Sequence, residues 1–430
     1  MSATPRGSTA ISRPSAASEC FVYITLPGQV SAVTAGRFVL TKNARGDAVG
    51  QFVYRAKYLD DALAVEIDPI ELKLSKQTYQ TALSNGIFGA LRDAGPDYWG
   101  RRVIEKYCGK EQFGELDYLL ESPDDRAGAL GFGRNNVPPA PPRQFNKTID
   151  LEKLQALADA LVKDELPNDP DAQQVQDLLL LGTSMGGARP KTVVQDAAGL
   201  WVAKFNRPDD RWNNTRVEHA MLWLARECGI TAAESRIETV GGKDVLLIRR
   251  FDREKTPTGY TRARMVSGLT ILRSDEAAEV RQNWSYLILV EELRRIVEDA
   301  RSDAKELFRR MCFNALISNI DDHPRNHAII AREKNWKLSP AYDLTPSVPV
   351  SMERRDLALD CGDMGRYANA KNILSQHARF LLDRDEAEKI VNDLKSQVEA
   401  TWYGTVRSSG VSERDADTIR TGFVYPGFSL

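Results

Sequence analysis

Hydrophobic positions change their spacing along this chain, and each change marks a different kind of element. From Phe21 to about Phe132, short apolar runs such as FVYITL (Phe21 to Leu26) and GQFVYR (Gly50 to Arg55) predict strands, and helix-like stretches follow around Gly86 to Lys106. Together these read as an α/β accessory domain. NNVPPAPPR (Asn135 to Arg143) can neither propagate a helix nor donate regularly to a sheet, because its prolines lack backbone N–H groups, so a linker is expected there.

Beyond the linker, periodicity predicts helices from Asp150 to Lys163 and from Asp171 to Leu181, followed by the glycine-containing stretch GTSMGGARPKT (Gly182 to Thr192). TVVQD and LWVAKF flank Ala197-Ala198-Gly199, and RIETV and DVLLIRRF flank Gly241-Gly242; both are hairpin signals. Between the hairpins Val217, Met221 and Leu224 recur at helical spacing, and Gly229 supplies a stop. Long periodic segments then predict helices from Val280 to Ala300, Asp303 to Asn319 and Asp383 to Ala400. The expected class is α+β: a two-lobed, protein-kinase-like fold with an N-terminal α/β accessory domain and a mostly helical C-terminal lobe. The expected division is a disordered tail (1–18), the accessory domain (19–134), a Pro-rich linker (135–149), an ATP-binding N-lobe (150–265) and a helical C-lobe (266–430).

Composition narrows the function classes. The 430 residues suffice for two or three folded units, each with its own core. Lys plus Arg number 58 against 60 Asp plus Glu, a formal charge of -2, so no bulk electrostatic drive toward nucleic acid or anionic membrane exists. The five cysteines are odd in number and scattered without a CxxC pair, which argues against a disulfide framework or zinc site and fits a reducing cytoplasm. No run approaches the roughly eighteen uncharged apolar residues of a membrane helix. The Ser-, Ala- and Pro-rich start lacks the apolar block of a secretory signal.

Phosphoryl transfer needs an orienting carboxylate, metal ligands facing the phosphates, a cation on the nucleotide and a loop over its oxygens. In SNIDDHPRNHAII, Asp321 precedes Asn326 with the D-x-x-x-x-N spacing of a kinase catalytic loop. Asp321 is thus the candidate proton acceptor, with Asn326 a magnesium ligand. Asp322 is a rival one residue out of register, and His323 is expected to orient its neighbours. A predicted hairpin (His327 to Ala331, Trp336 to Leu338) returns the chain to PAYDLTPS, where Asp343 is the second candidate metal ligand, and hard oxygen donors suit magnesium. A lone DD pair after a helix would equally serve as a cap or turn.

Lys204 lies inside an apolar strand, where its charge needs a partner, and Glu218 on the following helix is the natural one. A strand-edge lysine reaching solvent carries the same signature. SMGGARPK (Ser184 to Lys191) offers adjacent glycines and two cations to phosphate oxygens, although it is neither a Walker A nor a G-x-G-x-x-G motif. RRFDR (Arg249 to Arg253) ends the second hairpin where the lobes would join, placing main-chain groups of Arg249 to Phe251 near adenine.

In order, IFGALRDAGPDYWGRRVIEK, DDRAGALGF, SMGGARPKT, VAKF, VEHAMLWLA, RRFDR, SNIDDHPRNH and SPAYDLTPS resemble the HipA family of bacterial serine/threonine kinase toxins from about Gly36 onward. The resemblance implies ATP and Mg2+ as cofactors, Asp321 as proton acceptor, Asn326 and Asp343 on magnesium, and Lys204, paired with Glu218, on ATP. Nucleotide contacts are implied for Gly186, Gly187, Ala188, Arg189, Pro190 and Lys191, for Arg249, Arg250 and Phe251, for His323, Pro324, Arg325 and Asn326, and for Tyr342. Ser184 matches a regulatory autophosphorylation site. The implied partners are a protein substrate such as an aminoacyl-tRNA synthetase and a small helix-turn-helix antitoxin of the HipB type, through which alone DNA is reached. No membrane partner is expected. The loop GGARP is richer in glycine than in the best-known members. Two other readings also fit the sequence: a small-molecule kinase and a non-catalytic scaffold for a repressor.

Overall fold

A computed structural model describes residues 18–108, 113–140, 146–147, 150–163, 189–276, 278–348 and 351–429. Its first layer is an antiparallel sheet of five strands, β1 (Glu19–Thr25), β2 (Ala32–Lys42), β3 (Ala48–Tyr54), β4 (Thr78–Thr81) and β5 (Leu130–Gly133), in the order β4-β3-β2-β1-β5. Val22, Ile24, Phe38 and Phe52 bury one face. After α1 (Ala56–Leu59), the helix-like stretches expected from Gly86 to Lys106 are two helices, α2 (Gly89–Asp93) and α3 (Tyr98–Cys108). Gly95-Pro96 divides them because Pro96 has no N–H to donate, and Asp97 restarts the chain by accepting the Gly100 N–H at 2.7 Å. Helix α4 (Glu115–Glu121) follows.

The second layer is a five-stranded sheet in the order β6-β7-β8-β10-β9. Strand β6 (Asn146–Lys147), within the expected linker, pairs parallel with β7 (Lys191–Gln195). Helix α5 (Leu151–Val162) covers one face, whereas the helix expected from Asp171 to Leu181 lies outside the described residues. Both predicted hairpins form: β7 with β8 (Leu200–Phe205), and β9 (Ser235–Val240) with β10 (Lys243–Arg249). Gly241 and Gly242 take φ of 54° and 75°, the left-handed pair a two-residue hairpin demands. The helix between them, α6 (Asn214–Glu227), starts where the Asn213 side chain accepts the Arg216 N–H and stops before Gly229 at φ 74°.

A short hairpin, β11 (Arg253–Thr256) with β12 (Gly259–Arg262), leads into a three-stranded sheet of β13 (Arg264–Ser267), β14 (Ala328–Ala331) and β15 (Lys337–Leu338). Helices dominate thereafter: α7 (Gly268–Ile271), α8 (Tyr286–Ile296), α9 (Ala300–Leu316), α10 (Ala370–Ser375), α11 (Arg384–Ser408) and α12 (Glu413–Ile419). Helix α8 begins later than the predicted Val280, because Ser285 is extended at φ -147° and caps the Leu287 N–H with its hydroxyl. Helix α11 outruns the predicted Ala400, since Trp402, Thr405 and Val406 continue its buried stripe. The architecture is α+β, a sheet-rich lobe against a mostly helical one. No helix among the described residues is long and apolar enough to cross a membrane.

Cores cross these layers. Trp99 and Val103 of α3 pack with Leu154 and Leu161 of α5 onto Trp201, Phe205 and Leu247 of the second sheet. A larger core runs from the first sheet into the helical lobe without interruption. Charge is buried at the same junction. Arg250 and Arg253 both bind the Asp252 carboxylate, at 2.8 and 2.7 Å, and Arg250 also bonds Asp125; Asp252 in turn accepts the Gly128 N–H at 2.9 Å. Each of these side chains is at least 95% buried, so removal of any one member would leave an uncompensated charge, a change that costs about 3–5 kcal/mol.

Candidate functional site

Lys204 projects from β8 into a narrow cavity of about 130 Å3 between the lobes. Val202, Ile248, Phe251, Met265 and Tyr342 make its walls largely apolar, while Lys204, Asn326 and Asp343 supply polar groups. The Lys204 ammonium lies 2.6 Å from Glu218 Oε1 and 2.6 Å from Asp343 Oδ1. A lysine this deep is tolerable because two carboxylates share it. Burial alone would lower its pKa, but Asp343 and Glu218 together hold it above the usual lysine value. Burial likewise pushes Asp343 up, yet Lys204 outweighs that and holds its carboxyl at about 2. Glu218 ends above its ordinary value, since its own burial exceeds the pull of the lysine. Asp343 also has φ 58°, a left-handed conformation uncommon outside glycine that points to a constrained position.

The loop after α9 carries the other carboxylates. Ser318, at φ 54°, turns the chain out of the helix. The His323 N–H then donates to Asp321 O at 2.8 Å, the Asn326 N–H to His323 O at 2.9 Å, and the Asn326 amide to Asp321 O at 3.3 Å. The D-x-x-x-x-N spacing is therefore a closed turn, with Pro324–Asn326 as its helical part. Asp322 points inward and is 1% exposed, accepting from the Tyr286 hydroxyl and lying 2.8 Å from His327 Nε2. Asn314 donates to the Tyr286 oxygen at 3.1 Å and completes the network. Asp321 is exposed and lines a second, larger cleft of about 1250 Å3. Burial lifts its carboxyl above the ordinary value; His323 opposes this, while Asp343 and Asp322 add to it.

The four central residues thus do not share one cavity. Lys204, Asn326 and Asp343 line the slot and Asp321 lines the cleft, with His323 and Arg325 lining both. A donor in the slot and an acceptor in the cleft would meet at that shared boundary.

Other expected residues are distributed unevenly. Phe251 and Tyr342 face each other with ring centroids 5.7 Å apart, and the Tyr342 hydroxyl donates to Arg325 O at 2.7 Å. Arg249 and Arg250 also line the slot, but the Arg249 side chain pairs with Glu234 at 2.8 Å and the Arg250 guanidinium belongs to the buried junction. Pro324 lines the cleft, and Arg325 lies 2.7 Å from Glu276. Arg189 and Lys191 depart from expectation: neither lines the slot. Arg189 forks onto Asp210 at 2.9 and 2.7 Å, and Lys191, 2% exposed at the start of β7, holds Asp97 at 2.9 Å. Pro190 accepts the Phe205 N–H through its carbonyl. Ser184, Gly186, Gly187 and Ala188 lie outside the described residues.

Sequence reasoning missed the amino-terminal contribution to the slot, Asp93 and Ala127. Asp93 accepts from Ser267 N–H, the Ser267 hydroxyl and the Thr270 hydroxyl at 2.6–2.8 Å. The available signals were IFGALRDAG, which carries Asp93, and DDRAGALGF, which carries Ala127 and whose small side chains suit a crowded junction. As to metal, no group of three or more His, Cys, Asp or Glu gathers among the described residues. An Asp343 carboxylate and an Asn326 amide oxygen nevertheless fit a magnesium ion whose remaining ligands are phosphates and water.

Residues 183–402 match the HipA-like C-terminal domain and residues 31–133 the HipA N-terminal domain. Two relatives from Sinorhizobium fredii are named "Putative kinase": Y4dM is 25% identical over 53% of this chain and 57% of its own length, and Y4mE 24% identical over 73% and 76%. The chain thus spans little more than half the length of the first. The fold resembles that of a HipA from Shewanella oneidensis MR-1, solved with HipB and its operator DNA, at a TM-score of 0.67 and 17% identity over 93% of this chain and 95% of that one. By sequence and architecture, this chain is a member of the HipA family.

Proposed function

We propose that this protein is an ATP- and magnesium-dependent kinase that transfers the γ-phosphoryl group to a serine hydroxyl of a cellular protein. The observation that carries the reading is the Lys204 ammonium shared between Glu218 and Asp343 at the polar end of an apolar slot, beside a cleft holding Asp321. Adenine would lie between Val202, Ile248, Phe251 and Tyr342, and Lys204 would turn to the phosphates. Magnesium, held by Asn326 and Asp343, would neutralise phosphate charge. The acceptor oxygen bonds to the γ-phosphorus as the bond from that phosphorus to the β–γ bridging oxygen breaks. ADP leaves, and the hydroxyl proton passes to Asp321.

The decisive experiment is labelled ATP with wild type and Asp321→Asn. The variant should bind a fluorescent ATP analogue normally and transfer phosphate about 100-fold or more slowly. Equal transfer by both proteins would falsify the assignment, and label found only on a metabolite would move the reading to a small-molecule kinase. Family membership and the HipB in the Shewanella complex support a small helix-turn-helix antitoxin as partner, reaching DNA only through that complex. An aminoacyl-tRNA synthetase as substrate and Ser184 as an autophosphorylation site complete the proposal. Mass spectrometry after induction tests both: phosphate absent from every synthetase and from Ser184 would reject them.

A further inference from the structure

The kinase reading does not say which residues select the acceptor, and the large cleft bears on that. At about 1250 Å3 the cleft exceeds the roughly 300–1,000 Å3 typical of small-molecule sites. Much of its charge is already spent within the protein. Arg101 is forked onto Glu115 at 2.8 and 2.6 Å, Arg325 lies beside Glu276, Asp97 holds Lys191, and Asp356 lies 3.1 Å from Arg354.

The cleft also presents exposed apolar side chains beside its charged ones. Tyr98, the first residue of α3, is 65% exposed, and Ile320, next to Asp321, is 37% exposed. Both line the cleft, one from the amino-terminal segment and the other from the catalytic loop. Large exposed apolar side chains beside a reacting group are the usual form of a specificity anchor.

We infer that Tyr98 and Ile320 are specificity-determining residues that hold an apolar side chain of an extended polypeptide, a fixed distance from the hydroxyl presented to Asp321. The inference rests on the kinase reading and adds the substrate's form and its selecting residues. A polypeptide supplies the side chain and the hydroxyl on one backbone, and neighbouring residues can span a cleft of this size without disturbing the ion pairs. The amino-terminal unit thereby selects substrate while the helical lobe supplies the proton acceptor.

The test is a positional-scanning library of peptides with one central serine, incubated with full-length protein and labelled ATP. Wild type should favour Leu, Ile or Phe at one fixed offset from the serine. Tyr98→Ala and Ile320→Ser should flatten that preference and raise KM for the favoured peptide about tenfold or more. Tyr98→Phe should retain it, since the ring and not the hydroxyl is invoked. Binding of the fluorescent ATP analogue and acceptor-free ATP hydrolysis should be unchanged in Tyr98→Ala. A flat wild-type profile, a profile that survives Tyr98→Ala, or no peptide label despite ATP hydrolysis overturns the anchor. Failure of wild type to bind or hydrolyse ATP overturns the kinase reading beneath it instead.

Discussion

Asp321 and Asp322 are adjacent in sequence and opposite in surroundings, so their substitutions should leave opposite fingerprints. Asp322 accepts from Tyr286 and His327 in the buried interior, and Asp322→Ala removes the acceptor of both the Tyr286 hydroxyl and His327 Nε2. It should cost about 3 kcal/mol in urea unfolding. Asp321→Ala should stay within about 0.5 kcal/mol of wild type, since it removes an exposed carboxylate crowded by two others. The same reasoning separates structure from chemistry at Lys204. Lys204→Met strands Glu218, 4% exposed, and should lower Tm; adding Glu218→Gln removes that charge and should restore much of the loss. ATP-analogue binding should stay weakened in both proteins. Recovery of binding along with Tm would mean the lysine serves packing alone.

Segments with a period and a punctuating residue were legible in the sequence; segments ordered by distant partners were not. The Gly241-Gly242 hairpin and the α6 stop at Gly229 were visible because glycine alone relieves those backbone angles. The inward turn of Asp322 was invisible, since Tyr286 and His327 reach it only after the chain folds. The pairing of Lys191 was invisible for the same reason: its partner Asp97 is 94 residues away. The loop from Val65 to Leu72 carried no readable signal either. It is clamped by the Tyr58 hydroxyl on Val65 O at 2.6 Å, by the Tyr54 hydroxyl on Leu72 O, and by Asp68, whose Oδ1 accepts the N–H groups of Ile70, Glu71 and Leu72. Burial raises the Asp68 carboxyl from 3.8 to about 7 against those three donors, and its other oxygen is buried without a partner. Because the folded value is the higher one, stability from this group is complete below pH 3.8 and is lost as pH rises through about 7. Asp68→Asn keeps the accepting oxygen, so its urea midpoint should gain on wild type between pH 4.5 and 8. An unchanged gap between the two proteins would contradict the titration.

At the scale of the whole molecule, the amino-terminal unit is structural to the lobe that follows it. Trp99 and Val103 belong to the core of the second sheet, and Asp125 neutralises the buried Arg250. A chain of residues 135–430 should therefore be insoluble or lack a cooperative thermal transition in calorimetry, because it exposes that apolar face and leaves Arg250 and Arg253 with the Asp252 carboxylate alone between them. A sharp transition at the wild-type Tm would refute this interdependence. The segment Arg249 to Arg253 divides its side chains between two tasks, with Phe251 against Tyr342 in the slot and Arg250 and Asp252 in the buried junction. Whatever occupies the slot is therefore wedged beside the seam that holds the first sheet in place. Saturating nucleotide should accordingly protect peptide bonds of residues 19–133 from trypsin, by the mass-action factor its affinity dictates.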